Sequence, residues 1–534
     1  MLNMGCENMY IVSNVKVEIN ETDIKKTIAN KLRIKTCDIV SFSFYKKAID
    51  ARDKNHVFFM CHFLVEFSPS ILSRIIKNKD VKIHTPYVLE KTNITTDKKV
   101  CVIGSGPAGL FASYILALNG IKCLVIERGS KVEKRLEDIE IFFATGKLNV
   151  NSNLQYGEGG AGTFSDGKLT TNINDERIEF IKNTFIKFGA NEDIYYMSKP
   201  HIGSDILVNV VRNMRKELIS MGVEFKFDTT LIDVISSNDV VKGIVLKDNT
   251  SEEVYTIDAN IVILATGHSA RDVYYMLNKN VVYLEKKPFS IGVRIEHKRE
   301  DIDKAQYGEK YYKMLPAADY KVAVHLDNGR SLYSFCMCPG GVVVASSSDE
   351  ETIVTNGMSY HARDKENSNS ALLVNVNVED LEDDLFAGIR FQEKYEKLAY
   401  KISSSYKAPC QLFSDLINNK ESITYKSIVP SYLPGVTFTN LRDCLPEFVV
   451  DTLIKGIPLI DRKIKGFANP DAILIAPETR SSSPIRIVRN EDYQTNIKGI
   501  FPCGEGSGYS SGITTSALDG IRVADKVIKD ILNN

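Results

Sequence analysis

The spacing of hydrophobic positions changes several times along the chain, and each change predicts an element. Tyr10 to Ile19 alternates apolar and polar residues, the period of a half-buried strand. Ile24, Ile28 and Leu32 then recur at helical spacing, and Ile39 to Tyr45 reads as a strand. His56 to Phe67 is a long apolar strand, after which Ser68-Pro69-Ser70 opens a short helix around Ile71 to Ile76. This order predicts a small α/β module over residues 1–95, in a ferredoxin-like or related sandwich. Thr92 to Lys99 is a polar linker out of it.

Val100 to Ile103 is a short continuous apolar run that ends in a GxGxxG turn of Gly104, Gly106 and Gly109. The first glycine permits the tight turn, the second lets a backbone approach a pyrophosphate, and the third lets the following helix pack on the strand. Pro107 and Ala108 begin that helix, where the missing proline N–H costs nothing and free N–H groups face an anion. Leu110, Tyr114 and Leu118 continue it to Asn119-Gly120. A second strand, Lys122 to Ile126, delivers Glu127 to the place where a carboxylate accepts hydrogen bonds from ribose hydroxyls. Every context element of a dinucleotide grip is therefore present, with FAD and NAD both open at this point.

Further along come a glycine-rich stretch from Gln155 to Lys168 and an amphipathic helix from Asp205 to Met221. Three strand-like segments follow (Glu224 to Asp228, Leu231 to Ser236, Val241 to Lys247), read as an excursion from the nucleotide sheet. Ile261 to Gly267 is a buried strand that returns to it. Residues 286–490 alternate strands (Phe289 to Glu296, Val342 to Ser346, Ala371 to Val378) with a helix (Leu385 to Tyr406) and are expected to form a substrate-side domain. The chain closes with Gly499 to Gly506 and a helix from Thr514 to Leu532. The expected class is α/β: a Rossmann-like dinucleotide-binding domain split between residues 96–285 and 491–534, an inserted α+β substrate domain, and the N-terminal module.

Composition narrows the class of partner. The net charge of -1 argues against a bulk nucleic-acid or membrane binder, although the first hundred residues are mildly basic. No apolar run of about 18 residues occurs, so no transmembrane helix is expected. The opening MLNMGCENMY lacks the pattern of a secretory leader. Ten cysteines without dense spacing fit reduced thiols in the cytoplasm, and none has zinc-like spacing, so no metal is expected.

Three separated motifs decide the cofactor. The glycine turn ends in Glu127-Arg128-Gly129, a later strand ends in Ala265-Thr266-Gly267, and Gly504-Glu505 precedes Gly512-Ile513 at the start of the last helix. This order resembles FAD-dependent enzymes of the glutathione-reductase type. The longer segments YGEGGAGTFSDGKLTT (156–171), ATGHSARD (265–272), KPFSIGVRIEH (287–297), FCMCPGG (335–341), NGMSYHARDKENSNSALLV (356–374) and ETRSSSPIRI (478–487) are similar to the FAD-dependent, or NAD(FAD)-utilizing, dehydrogenase family. YKKAIDARDK (45–54) is similar to that family's leading domain. The resemblance implies an FAD oxidoreductase, with a carboxylate at Glu505 near the ribityl and diphosphate and with Gly159 and Gly160 beside the diphosphate and ring. Backbone N–H groups at Gly512 to Thr514 would stabilise negative charge on a reduced flavin.

Residues for the chemistry itself are less marked. Lys168 and Asp166 flank the glycine stretch, and His361, Arg363, Asn367 and Asn369 suit a substrate carboxylate or phosphate as well as a solvated loop. His268 and Arg271 could cap a helix or approach the adenosine diphosphate, while Arg294 and Arg480 fit a cleft or an ion pair. Cys336 and Cys338, two apart on a strand, lie too far apart for an unstrained disulfide and are read as structural. Lys46, Lys47, Arg52 and Lys54 are read as a solvated hairpin tip. One full dinucleotide fingerprint leaves NAD(P)H as a transient donor at most. The leading expectation is hydride transfer between flavin and a small organic substrate; an RNA-modifying flavoprotein and a flavin-carrying scaffold are the alternatives.

Overall fold

Val100–Ile103 is apolar at every position because both of its faces are covered. In the computed structural model, which describes residues 9–533, it is the middle strand of a five-stranded parallel sheet. The order is Ile500–Pro502, Ile261–Leu264, Val100–Ile103, Cys123–Ile126, Glu224–Lys226. Helices Pro107–Leu118, Ser204–Ser220 and Ile513–Asn533 build the core on one face. Helix Arg271–Lys279 and a three-stranded antiparallel sheet build it on the other. Residues 1–8, over which no leader is expected, lie outside the described residues.

The chain enters this sheet at its centre, fills one side, and then crosses to the other. The order reverses between Val100–Ile103 and Ile261–Leu264, which leaves a crevice beyond their carboxyl ends. The α/β class expected from the sequence holds. One strand assignment changes: Glu224–Lys226 is the edge strand of the parallel sheet, paired with Cys123–Ile126. Only Thr229–Ser237 and Val240–Asp248 leave it, and they pair with Val254–Asp258, a strand whose exposed charged flanks hid it.

The N-terminal sheet has the order Ile39–Asp50, Phe58–Phe67, Met9–Glu18, Val81–Ile83, antiparallel throughout, with helix Ile24–Leu32 connecting its first two strands in the chain. This is the split βαβ arrangement of a ferredoxin-like sandwich. Its hairpin is longer than expected, and the basic residues divide: Arg52 and Lys54 sit exposed in the tip, as expected, whereas Lys46 and Lys47 belong to the strand before it. Lys47 Nζ sits 4.1 Å from the Phe59 ring centroid, and Ser198 N donates to Lys47 O at 2.9 Å. Arg52 is tied to Asp50, and Lys54 Nζ donates to Ala305 O on the body of the protein.

A seven-stranded sheet faces the crevice from the third region, in the order Ala323–His325, Ser331–Cys338, Asn367–Val376, Phe289–Lys298, Ile473–Glu478, Ala408–Leu412, Val436–Phe438. Its pairs are antiparallel except the last. Among the described residues no helix is long and apolar enough to cross a membrane.

One core histidine makes this sheet's stability depend on pH. His297 Nε2 donates to Phe467 O at 2.8 Å, and Nδ1 has no partner among the described residues. Burial pushes its pKa down to about 4. The unfolded chain takes up a proton below about 6.5 that the folded protein excludes. Stability is therefore complete above that value and falls as pH drops toward 4, by about 3 kcal/mol. His297→Gln, which keeps a donor for Phe467 O, is expected to flatten thermal-melting loss across this window by about one proton. An unchanged slope would refute the assignment.

Candidate functional site

Three segments remote in sequence meet at the crevice. Gly104 ends its strand at φ +101°, and a β-carbon there would lie 2.3 Å from Ala265 O, so no other residue fits. Gly106 caps helix Pro107–Leu118 in an extended conformation, with Pro107 in its first turn. Ala108 and Gly109 are buried behind it. The Glu127 carboxylate accepts from Ser105 N (2.9 Å), Ser105 Oγ (2.8 Å), Gly129 N and Gly157 N (both 3.0 Å), which fixes its plane against the turn. Arg128 bends away to Asp272, with its guanidinium 4.6 Å from the Tyr156 ring centroid.

The glycine stretch lies directly on the first turn. Gly159 N donates to Ser105 O at 2.9 Å, and a β-carbon on Gly160 would stand 3.0 Å from Gly106 Cα. The returning strand brings Ala265 N to Ile103 O at 2.8 Å, then half-buried Thr266 and Gly267. His268 stands between two other segments: Nε2 donates to Arg480 O at 3.0 Å and Nδ1 is 3.4 Å from Glu505 Oε1. Gly504 N donates to Asp519 Oδ2 at 2.8 Å. Ile513 is buried at the start of the last helix, where Thr514 Oγ1 donates to Leu169 O at 2.9 Å.

This donor set fits a dinucleotide. Gly267 and Gly512 face open space, since a β-carbon on either meets nothing within 4 Å. Two helix N-termini with N–H groups lacking intrahelical partners, and a carboxylate held in one orientation, supply the donors and the acceptor such a group needs.

Comparison with known proteins names the group. A model described as FAD binding domain matches residues 97–135, and one described as FAD-dependent protein, C-terminal domain-like, matches residues 288–481. A domain of unknown function (DUF8436) matches residues 9–66. An uncharacterized protein of Clostridium beijerinckii is 42% identical over 530 residues, 97% of this chain and 98% of that one. The chain belongs to this family of FAD-dependent proteins. FAD is its cofactor.

Thiamine thiazole synthase of Methanococcus maripaludis is 26% identical over 195 residues, 34% of this chain and 61% of that protein. A triple mutant of the flavin-dependent brominase Bmp2 is similar at TM-score 0.40 and 13% identity, over 82% of this chain and 81% of that one. E. coli quinol fumarate reductase FrdA is similar at TM-score 0.36 and 12% identity, over 82% and 70%.

The candidate chemical residues of this FAD-dependent protein are engaged with one another. Arg363 turns inward to buried Asp166, its Nε donating at 2.9 Å. Burial opposes the charge on Asp166, yet Arg363 and Lys168 hold its carboxyl below the usual range. His361 stacks on His201 and uses both ring nitrogens, on Ile202 O and Asn191 Nδ2. Asn367 reaches Glu296 and Val429 O, and Asn369 Oδ1 accepts from Arg294. Arg271 and Arg480 both converge on Glu396, away from open space. Arg294 is fully buried on Glu478. Lys168 Nζ donates to Met337 O, and the next residue, Leu169, touches the last helix.

Two positioning residues escaped the sequence reading. Arg135, fully buried, donates to the carbonyls of Asn153, Leu154, Gly157, Glu158 and Gly160 and so cages the glycine stretch. Its signal was an arginine on the apolar stripe of Val132, Ile139 and Phe142. Asp519, clamped by Arg489, holds Gly504 N from the last helix.

Arg135→Met keeps bulk but leaves five carbonyls without their charged donor. It is expected to cost about 3 kcal/mol of stability and to speed amide exchange over residues 153–162 more than tenfold. Exchange confined to parental rates there would show that the cage does not hold the loop.

Proposed function

We propose that this flavoprotein is an oxidoreductase that moves a hydride between flavin N5 and a small organic substrate, with NADH or NADPH as transient donor. The carrying observation is the meeting of the glycine turn, the glycine stretch through Leu169 and the start of the last helix: a β-carbon on Gly160 would stand 3.0 Å from Gly106 Cα, one on Gly162 would stand 2.9 Å from Ile513 Cγ1, and Thr514 Oγ1 donates to Leu169 O. The motif order favours a place among glutathione-reductase-type flavoproteins. When bound, FAD supplies a two-electron hydride acceptor and donor.

The protein's own groups supply the rest. Glu127 would accept the adenosine ribose hydroxyls, while N–H groups at Gly106 and in the first turn of helix Pro107–Leu118 would hold the diphosphate. N–H groups at Gly512, Ile513 and Thr514 would face the pole of the ring where negative charge gathers on reduction. Lys168 would sit beside it, fixed through Met337 O. The seven-stranded sheet would offer the substrate side. A second nucleotide-binding half has no fingerprint of its own, so the nicotinamide would dock over the ring and leave. Nucleic acid is not proposed as a partner, because Lys47, Arg52 and Lys54 are engaged by the Phe59 ring, Asp50 and Ala305.

Glu127→Gln puts an amide donor against the N–H groups of Ser105 and Gly157. It is expected to lower the FAD retained after gel filtration about tenfold, which corresponds to about 1.4 kcal/mol. Full retention would remove Glu127 from the site. Anaerobic mixing of the yellow protein with NADH, with NADPH and with metabolite pools should bleach the flavin. Flavin that stays oxidised with every donor would overturn the hydride-transfer reading.

A further inference from the structure

The strand Ser331–Cys338 does not run straight. Its pairing with Asn367–Val376 shifts between Phe335, opposite Ala371, and Cys338, opposite Asn369, so one extra residue is accommodated. Cys336 takes φ +41° in that bulge, a region L residues rarely adopt. A regular strand would hold the two cysteines apart, whereas the bulge folds them together. The Cys338 thiol donates to Cys336 O at 3.4 Å, which brings it back over the residue two before it. Cys338 is fully buried, with a β-carbon on Gly357 placed 2.8 Å from its sulfur; Cys336 is half-buried beside the exposed Phe335.

Two cations flank the bulge. Arg294 Nη1 donates to Cys336 O at 2.7 Å, and Lys168 Nζ donates to Met337 O. Asp166, beyond Lys168, is already paired with Arg363, and Glu478 with Arg294. No group of His, Cys, Asp and Glu among the described residues could hold a metal ion there.

We propose that Cys336 and Cys338 are a dithiol–disulfide pair that exchanges with low-molecular-weight disulfides, Cys336 attacking and Cys338 resolving. The Cys336 thiolate attacks one sulfur of the small disulfide, forming a mixed disulfide and expelling one thiolate, which takes a proton from water. Cys338 then loses its proton and attacks the Cys336 sulfur; the second small thiolate leaves and takes that proton. Two protein thiols and one small disulfide become one protein disulfide and two small thiols, with two electrons passing to the small molecule.

The electrostatics assign the roles in that order. The neighbouring Cys338 thiol pushes the Cys336 thiol below the ordinary range against the opposing effect of burial, and the Arg294 and Lys168 charges add to it. The same neighbour effect, with burial, pushes Cys338 well up, so it keeps its proton until Cys336 has reacted. Burial alone acts the other way on ordinary core thiols: Cys101 and Cys123 rise to about 12.

The test uses the FAD-loaded protein with excess glutathione disulfide, followed by acid quench, N-ethylmaleimide and peptide masses. The peptide carrying both cysteines should lose both maleimide adducts and weigh two hydrogens less than the dithiol form. Cys338→Ser should instead trap glutathione on Cys336, and Cys336→Ser should take up none. Disulfide formation should level off at a lower pH in this protein than for an ordinary cysteine thiol, following the Cys336 thiolate. Wild-type protein that keeps both thiols, or that takes glutathione only at other cysteines, would overturn the proposal, as would a pH profile no different from that of an ordinary cysteine thiol. Peptide masses do not depend on flavin reduction, so this result and that of the hydride-transfer reading stand or fall separately.

Discussion

The carbonyl oxygen of Ala265 occupies the space where a side chain on residue 104 would begin, and the two strands can be neighbours only because Gly104 has none. That contact lies where the strand order of the parallel sheet reverses. It sets the spacing between the first glycine turn and the returning strand, and so the width of the crevice. The last helix depends on a similar approach: a β-carbon on Gly520 would stand 2.2 Å from Ala108 O. Bulk at either position would separate elements whose backbone groups meet at the crevice. Side-chain packing then stabilises an arrangement whose geometry the backbones have set.

Buried charge holds this backbone assembly in place. Arg135 binds five carbonyls of the glycine stretch, and Asp519 binds Gly504 N while Arg489 neutralises it. Glu396 gathers Arg271 and Arg480; burial opposes its charge, but the two guanidiniums hold its carboxyl below the usual range. Each of these groups would be costly alone, and each is satisfied by partners from distant segments. Removing one partner therefore leaves the other uncompensated, which makes these networks devices for registry more than sources of net stability.

What was legible in the sequence follows from the range of the interaction concerned. Val100 to Gly109 and Ile261 to Gly267 declare themselves because period, turn and cap are local properties, and the cofactor followed from their order. The edge position of Glu224–Lys226 was hidden, since three residues carry no period. The docking of Lys47 and Lys54 was equally hidden, because a basic loop reads the same whether solvated or packed. Arg363 was legible as an anion-binding residue, but its anion is Asp166, nearly two hundred residues earlier in the chain. Local chemistry identified the group; only the fold could identify its partner.

The bulge at Cys336 shows how far a single backbone irregularity can redirect chemistry. Spacing two apart on an ideal strand argues for inert, separate thiols, and that argument assumes regular pairing. One extra residue against Ala371 and Asn369 breaks the assumption. It also turns the carbonyls of Cys336 and Met337 toward Arg294 and Lys168. Those two cations are anchored on opposite sides, Arg294 in the seven-stranded sheet and Lys168 on the glycine stretch that touches the last helix. The bulge is thus held from both layers at once. A shift of the seven-stranded sheet relative to the parallel sheet would alter the field at Cys336 without moving either cysteine along its strand.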